Sequence, residues 1–246
     1  MKNSNTNLCW ICGNIANSRE HKIKRSDMVN IFGKGSYIEE NSIVIVKENK
    51  QREIQGANSH LLKYSPVICS YCNNTKTQPF DIAYSEFINY IDKNKDLILH
   101  QRFINFQDIY KENFEEKQRN LYKYFVKSFG CRLADNQHKI PEDMIELLDK
   151  DSFQTALRIT FAINEDKLLF DLDIVGNGAI YAYNKSLNYT YDEFYKWLHI
   201  FYYYDTQPNG SLGSTWIADN QYIYLGSFYS ALLQKDRDKL LKGDNV

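Results

Sequence analysis

Three features of these 246 residues predict an α+β chain with a zinc-stapled amino-terminal region. Two Cys-x-x-Cys pairs, Cys9-Trp-Ile-Cys12 and Cys69-Ser-Tyr-Cys72, lie well apart in the first third of the chain. Apolar residues recur at helical spacing between residues 79 and 129, whereas β-branched and aromatic residues dominate from residue 156 onward. Helices gathered in one stretch and strands in another point to segregated layers rather than alternating βαβ units.

Taken in order, the loop between the cysteine pairs carries few helix signals. A short helix is expected over residues 27–32, stopped by Gly33 and Gly35. Ser42-Ile-Val-Ile-Val-Lys47 is β-branched and bounded by Glu and Asn, which predicts a strand over 42–47. Its hairpin partner is expected within 52–64, across the polar connection Glu48-Asn-Lys-Gln51. After Cys72, Thr77-Gln-Pro79 offers a cap and a first-turn proline, and Phe80, Ala83, Tyr84, Phe87, Ile88 and Ile91 share one face, so residues 79–91 read as a helix. The charged run Asp92-Lys-Asn-Lys-Asp96 reads as a hinge, which divides the chain into residues 1–95 and an α+β accessory domain, 96–246.

Within the second part, helical periods cover 97–110 and 114–129, with Gly130 as a stop and Ile140-Pro-Glu-Asp143 opening another helix. Residues 156–163 and 167–174 read as a hairpin across Asn-Glu-Asp, and 178–183 and 221–225 as two more strands. Between these, residues 191–204 read as a helix because Phe194, Trp197, Leu198 and Phe201 fall on one helical face. The tyrosines from Tyr181 to Tyr229 then serve packing rather than base stacking, and Cys131 is expected as a small buried side chain.

Composition narrows the function. Hydrophobic residues make up 43% of the chain and charged residues 25%, enough for a sizeable core, and the formal net charge of −1 argues against coating nucleic acid by bulk electrostatics. Residues 1–76 nonetheless hold eleven Lys and Arg against six Asp and Glu, an excess suited to a few phosphate contacts by Arg19, Lys22, Lys24, Arg25 or Lys76. The polar amino terminus has no apolar signal core and no apolar run spans a bilayer, so a cytoplasmic, membrane-free setting is expected. Reducing conditions there favour metal-bound thiolates over disulfides, and two knuckles of two cysteines close a tetrahedral Zn(II) shell. Cys9, Cys12, Cys69 and Cys72 are the predicted structural zinc ligands.

Between the pairs stands Glu20-His21, and the second pair runs into Asn73-Asn74-Thr-Lys76. Cys-x-x-Cys, then Glu-His, then Cys-x-x-Cys-Asn-Asn-x-Lys resembles the zinc-containing branch of the HNH endonucleases, in the ββα-metal or His-Me finger superfamily. The resemblance covers residues 1–95 only; the rest of the chain resembles no family. It implies a zinc-stapled ββα-metal domain that hydrolyses phosphodiesters of nucleic acid, DNA ahead of RNA. The settings it implies include restriction and phage defence. His21, with an ordinary pKa of about 6.5, is the residue type that takes a proton from an attacking water near neutrality. A catalytic Mg(II) or Mn(II) asks for oxygen ligands, which Glu20 and Asn73 supply, with Asn74 and Asp81 as alternatives. Family members more often carry Asp where this chain has Glu20, and Asn58 and His60 are the residues available to steady the imidazole. On this reading the zinc braces the segment of His21 beside that of Asn73, while residues 96–246 recognise substrate, sense a trigger or bind a partner protein. A catalytically silent zinc-braced binding module is the competing expectation.

Overall fold

The computed structural model describes residues 7–38, 42–47, 50–171, 173–183, 187–206 and 215–229; the polar amino-terminal residues 1–6 and the hairpin connection at 48–49 lie outside them. The first knuckle is a tight turn in which Gly13 N–H donates to the Cys9 carbonyl at 2.8 Å, with Gly13 at φ 73°, a left-handed angle that glycine adopts without a Cβ clash. The chain then runs antiparallel to residues 62–68: Ser18 N–H donates to Ile68, Lys22 N–H to Leu62, and Tyr64 N–H returns to the Glu20 carbonyl, at 2.7–2.9 Å. His21 sits in this ladder opposite Lys63.

Helix α1, Arg25–Phe32, ends at Gly33 as its sequence implies. The hairpin β1, Ile43–Lys47, and β2, Lys50–Ile54, forms in antiparallel register with Ile43 opposite Ile54. A small apolar cluster of Met28, Tyr37, Ile54, Ala57 and Leu62 holds this hairpin to α1. A wide π-helical turn, Cys72–Lys76, then feeds α2, Gln78–Lys93, whose buried face is Phe80, Ala83, Tyr84, Phe87, Ile88 and Ile91.

The charged stretch 92–96 is not an extended hinge. Asn94 alone separates α2 from α3, Lys95–Gln101, because Asn94 accepts from Ile98 N–H while its own N–H and side chain donate to Tyr90, so the helical ladder is interrupted for one residue only. The helix expected to continue to residue 110 is broken at Arg102, which takes a left-handed φ of 59°. Strand β3, Phe103–Asn105, follows, and Asn105 then caps α4, Phe106–Tyr110. Helix α5, Phe114–Asp135, runs through Gly130 instead of stopping there. A Cβ at Gly130 would lie 2.4 Å from the Trp10 ring, so this glycine serves close packing rather than helix termination. Helix α6, Glu142–Lys150, opens after Pro141 as expected.

Two further expectations are corrected. Residues 167–174 do not form the second strand of a hairpin with β4, Leu157–Asn164. The Asn164 side chain accepts from Lys167 N–H at 3.0 Å and Glu165 and Asp166 occupy the first turn, so α7, Glu165–Leu169, forms instead, and β5, Val175–Asn177, comes later. Residues 191–204 are not a helix but a hairpin of β7, Asn188–Tyr195, and β8, Leu198–Tyr204, reversed where Lys196 takes φ 50°. Aromatic side chains favour the pleated surface, and Tyr191 and Tyr202 pair directly across it with both rings buried. The remaining strands are β6, Tyr181–Tyr183; β9, Thr215–Trp216; β10, Tyr222–Tyr224; and β11, Gly226–Phe228. Among the described residues, one seven-stranded sheet has the order β11-β4-β8-β7-β5, with β6 also on β7 and β9 also on β4, and only the β11–β4 pairing is parallel. Strands β3 and β10 pair separately.

Helix α5 fills the space between α2 and this sheet. Its Phe125 meets Tyr84 and Phe87 of α2 on one side and Phe161 and Tyr202 of the sheet on the other, edge to face. Residues 121–127 of α5 are all buried, on every side of the helix, so no clean apolar stripe marks this stretch. One apolar cluster therefore runs from Cys9 through α2 and α5 to Leu225, and the boundary expected at residues 92–96 crosses it. The molecule is a mixed helix and sheet, α+β, and among the described residues no helix is long and apolar enough to cross a membrane.

Candidate functional site

The four cysteine sulfurs all lie within 4.8 Å of one another. Sulfurs at about 2.3 Å from a central zinc stand about 3.8 Å apart along a tetrahedral edge, and Cys12 Sγ lies 3.7 Å from Cys69 Sγ. Cys9, Cys69 and Cys72 are buried while Cys12 faces solvent, and none is in a disulfide. The donor set fits a structural zinc. The same knuckle anchors the helical layer: Trp10 lies over Gly130, and its Nε1–H donates to Cys131 Sγ at 3.3 Å. Cys131 is thus the small buried group its sequence suggested, with a bond to the knuckle that the sequence did not reveal.

The brace brings the predicted segments together. Asn73 N–H donates to the Cys69 carbonyl at 2.9 Å, the Asn73 carbonyl accepts from the Thr77 hydroxyl, and Asn73 Nδ2 donates to Ser18 Oγ at 3.0 Å. Asn73 therefore hangs on the strand-like segment that carries Glu20 and His21. Asn74 points to solvent, which separates two neighbours that the sequence left equivalent. Asn73 Oδ1 is buried without a hydrogen-bond partner, and so is His21 Nε2. Asn58 and His60 are exposed, and neither is bonded to His21.

Burial pushes the His21 imidazole below its ordinary pKa, Lys63, Lys127 and Arg25 push the same way, and Glu20 opposes them. Its neutral, proton-accepting form is favoured near pH 7. The carboxylates have a different engagement. Glu20 Oε2 lies 3.0 Å and Asp81 Oδ2 3.2 Å from the Nζ of Lys127, a side chain only 2% exposed on α5. Burial opposes the charge of this ammonium, but Glu20 and Asp81 outweigh it and hold its pKa above the usual lysine range. Asp81 Oδ1 is bound by Lys24 Nζ at 2.8 Å, and Lys24 also donates to the Asp81 carbonyl at 3.0 Å. Glu20 and Asp81, read from the sequence as alternative metal ligands, converge on one cation, and that cation is a lysine.

For a hard divalent ion, the orphaned Asn73 Oδ1 is a fitting acceptor, whereas both Asp81 oxygens already face ammonium groups. Of the basic residues expected to touch phosphate, Lys24 is committed to Asp81 and Lys76 to Asp149 at 2.6 Å, while Arg19 and Arg25 are exposed. Lys127 escaped sequence reading. Its signal was a single charged residue in Tyr124-Phe-Val-Lys-Ser-Phe129, a stretch of α5 buried nearly all round that leaves it no solvent. No protein-family model, curated protein or solved structure matches the chain.

Proposed function

We propose that this protein is a metal-dependent endonuclease that hydrolyses phosphodiester bonds of nucleic acid, DNA ahead of RNA, with His21 as general base. The observation that carries the reading is the buried, unpartnered Nε2 of His21, held beside Glu20 on the segment to which the four-cysteine knuckle ties Asn73. Buried polar atoms are nearly always satisfied, so an imidazole nitrogen kept free and neutral calls for an explanation, and proton abstraction is one. The antiparallel pairing of residues 18–22 with 62–68, followed by the turn at Cys72 and α2, supports the order of elements expected of a ββα-metal domain. Mg(II) or Mn(II), with Asn73 as ligand, would supply charge neutralisation at the phosphate. Zn(II) at the four cysteines braces the site, and residues 96–246 would engage substrate or a partner protein.

The test is nicking of supercoiled plasmid, and of RNA, by zinc-loaded protein with Mg(II) or Mn(II), beside His21→Ala. A loss of about 10²- to 10⁴-fold in the variant is expected for removal of a general base; equal rates in the two proteins would overturn the assignment. A specific observation favours a second reading. The group of Glu20, Asp81, Lys127 and Lys24 is already charge-balanced, which suits a zinc-braced binding module without hydrolysis. Nucleic acid shifted in a gel with no cleavage under either metal would select that reading.

A further inference from the structure

We infer that Lys127 is a positioning residue of the proposed site: its ammonium fills the cation position between Glu20 and Asp81, so that Lys127 and a divalent ion compete for the same two carboxylates. The inference rests on the metal-dependent reading above and gives α5 a part in a site otherwise assigned to residues 1–95.

The geometry is specific. A single Nζ reaches Glu20 Oε2 and Asp81 Oδ2, and Lys24 holds the other Asp81 oxygen, so two carboxylates and two ammonium groups form one neutral, largely buried cluster. Arg25 and Lys63 act, with Lys127, on the neighbouring His21, and these cations add to the repulsion an entering dication would meet. A metal ion entering while Lys127 stays would stand beside ammonium groups in a medium that screens charge poorly. Lys127 cannot retreat by movement of its helix either. Trp10 packs on Gly130, about one turn further along α5, and bonds Cys131, so the zinc knuckle pins that turn. Only the four-carbon arm can swing away. Release of Lys127 is then the step that frees Glu20 and Asp81, and Asn73, whose Oδ1 has no partner to lose, is the ligand available beforehand.

The experiment is a Mn(II) titration of the full-length, zinc-loaded protein, followed by the electron paramagnetic resonance of free Mn(II). Lys127→Met is expected to bind Mn(II) at least tenfold more tightly than the wild type, and adding Glu20→Gln to that variant should abolish the gain. An unchanged isotherm in Lys127→Met, with zinc content and circular dichroism preserved, would overturn the inference. In case that variant does not fold, Glu20→Gln alone supplies a second check: with Lys127 in place it should leave Mn(II) affinity nearly unchanged, and a tenfold loss would mean that Glu20 ligates metal alongside the lysine. Because the readout is metal binding, a protein that shows the competition yet cleaves nothing would sink the nuclease assignment and leave this one standing.

Discussion

Two acids in the interior hold protons more tightly than ordinary carboxylates do, and they set a pH dependence of stability. Burial raises Glu193 to about 8, with the charge of Asp27 next in effect and a weak opposing bond from the Ser128 hydroxyl. Burial also raises Asp27 to about 6, against the bond it accepts from Tyr84 at 2.7 Å. They line a small cavity of about 20 Å³ with Lys24, Tyr84 and Tyr124, and Glu193 Oε1 has no hydrogen-bond partner. A folded-state pKa above the unfolded value means that the folded protein binds the proton more tightly. The stability these groups permit is therefore fully present below about pH 4 and is lost as pH rises through 6 and 8, at about 1.4 kcal/mol per unit of displacement. Urea unfolding between pH 5 and pH 9 should show the decline, and Glu193→Gln should flatten its upper part while raising stability at pH 9. A wild-type profile flat over that window would contradict the assignment.

The contact between the first knuckle and α5 is the element-level counterpart of the four-cysteine cluster. Alanine in a helix interior gains about 1 kcal/mol over glycine from propensity, yet a Cβ at Gly130 would meet the Trp10 ring at 2.4 Å. Overpacking costs about 1–3 kcal/mol, and a contact this short lies at the upper end of that range, so Gly130→Ala should destabilise by up to about 2 kcal/mol net in denaturant unfolding. Trp10→Leu in the same chain should recover part of the loss, because the steric conflict belongs to the pair. Additive losses would show that the two residues do not act through that contact. The same elements show what the sequence could and could not announce. The cysteine set, α1, the β1–β2 hairpin and the apolar face of α2 were legible because each follows from local spacing and a nearby stop. The β7–β8 hairpin was not: Phe194, Trp197, Leu198 and Phe201 satisfy a helical period by coincidence in an aromatic-dense stretch, and the turn depends on a left-handed lysine that no local signal marks. The candidate site was legible in its four-cysteine cluster and in the proximity of Asn73 to the Glu20-His21 segment. Lys127 was not, since a lysine more than a hundred residues away reaches Glu20 only through the packing of α5.

Across the whole molecule, a single apolar cluster joins the knuckle, the helices and the sheet. Cutting the chain after residue 95 would strip α5 from α2 and expose Phe87 and Ile88, both almost fully buried in the intact protein. A fragment of residues 1–95 is expected to lack a cooperative unfolding transition even with zinc supplied, whereas a sharp transition in that fragment would show the first part to be self-sufficient. Removal of zinc from the full chain should act over a similar distance. Trp10 is one of three tryptophans, sits between Cys9 and Cys12 and is wedged against a glycine far along the chain. Its indole therefore doubles as an optical gauge: stripping the metal with a chelator should shift its emission toward the red as water reaches the ring, and restoring zinc should bring the colour back.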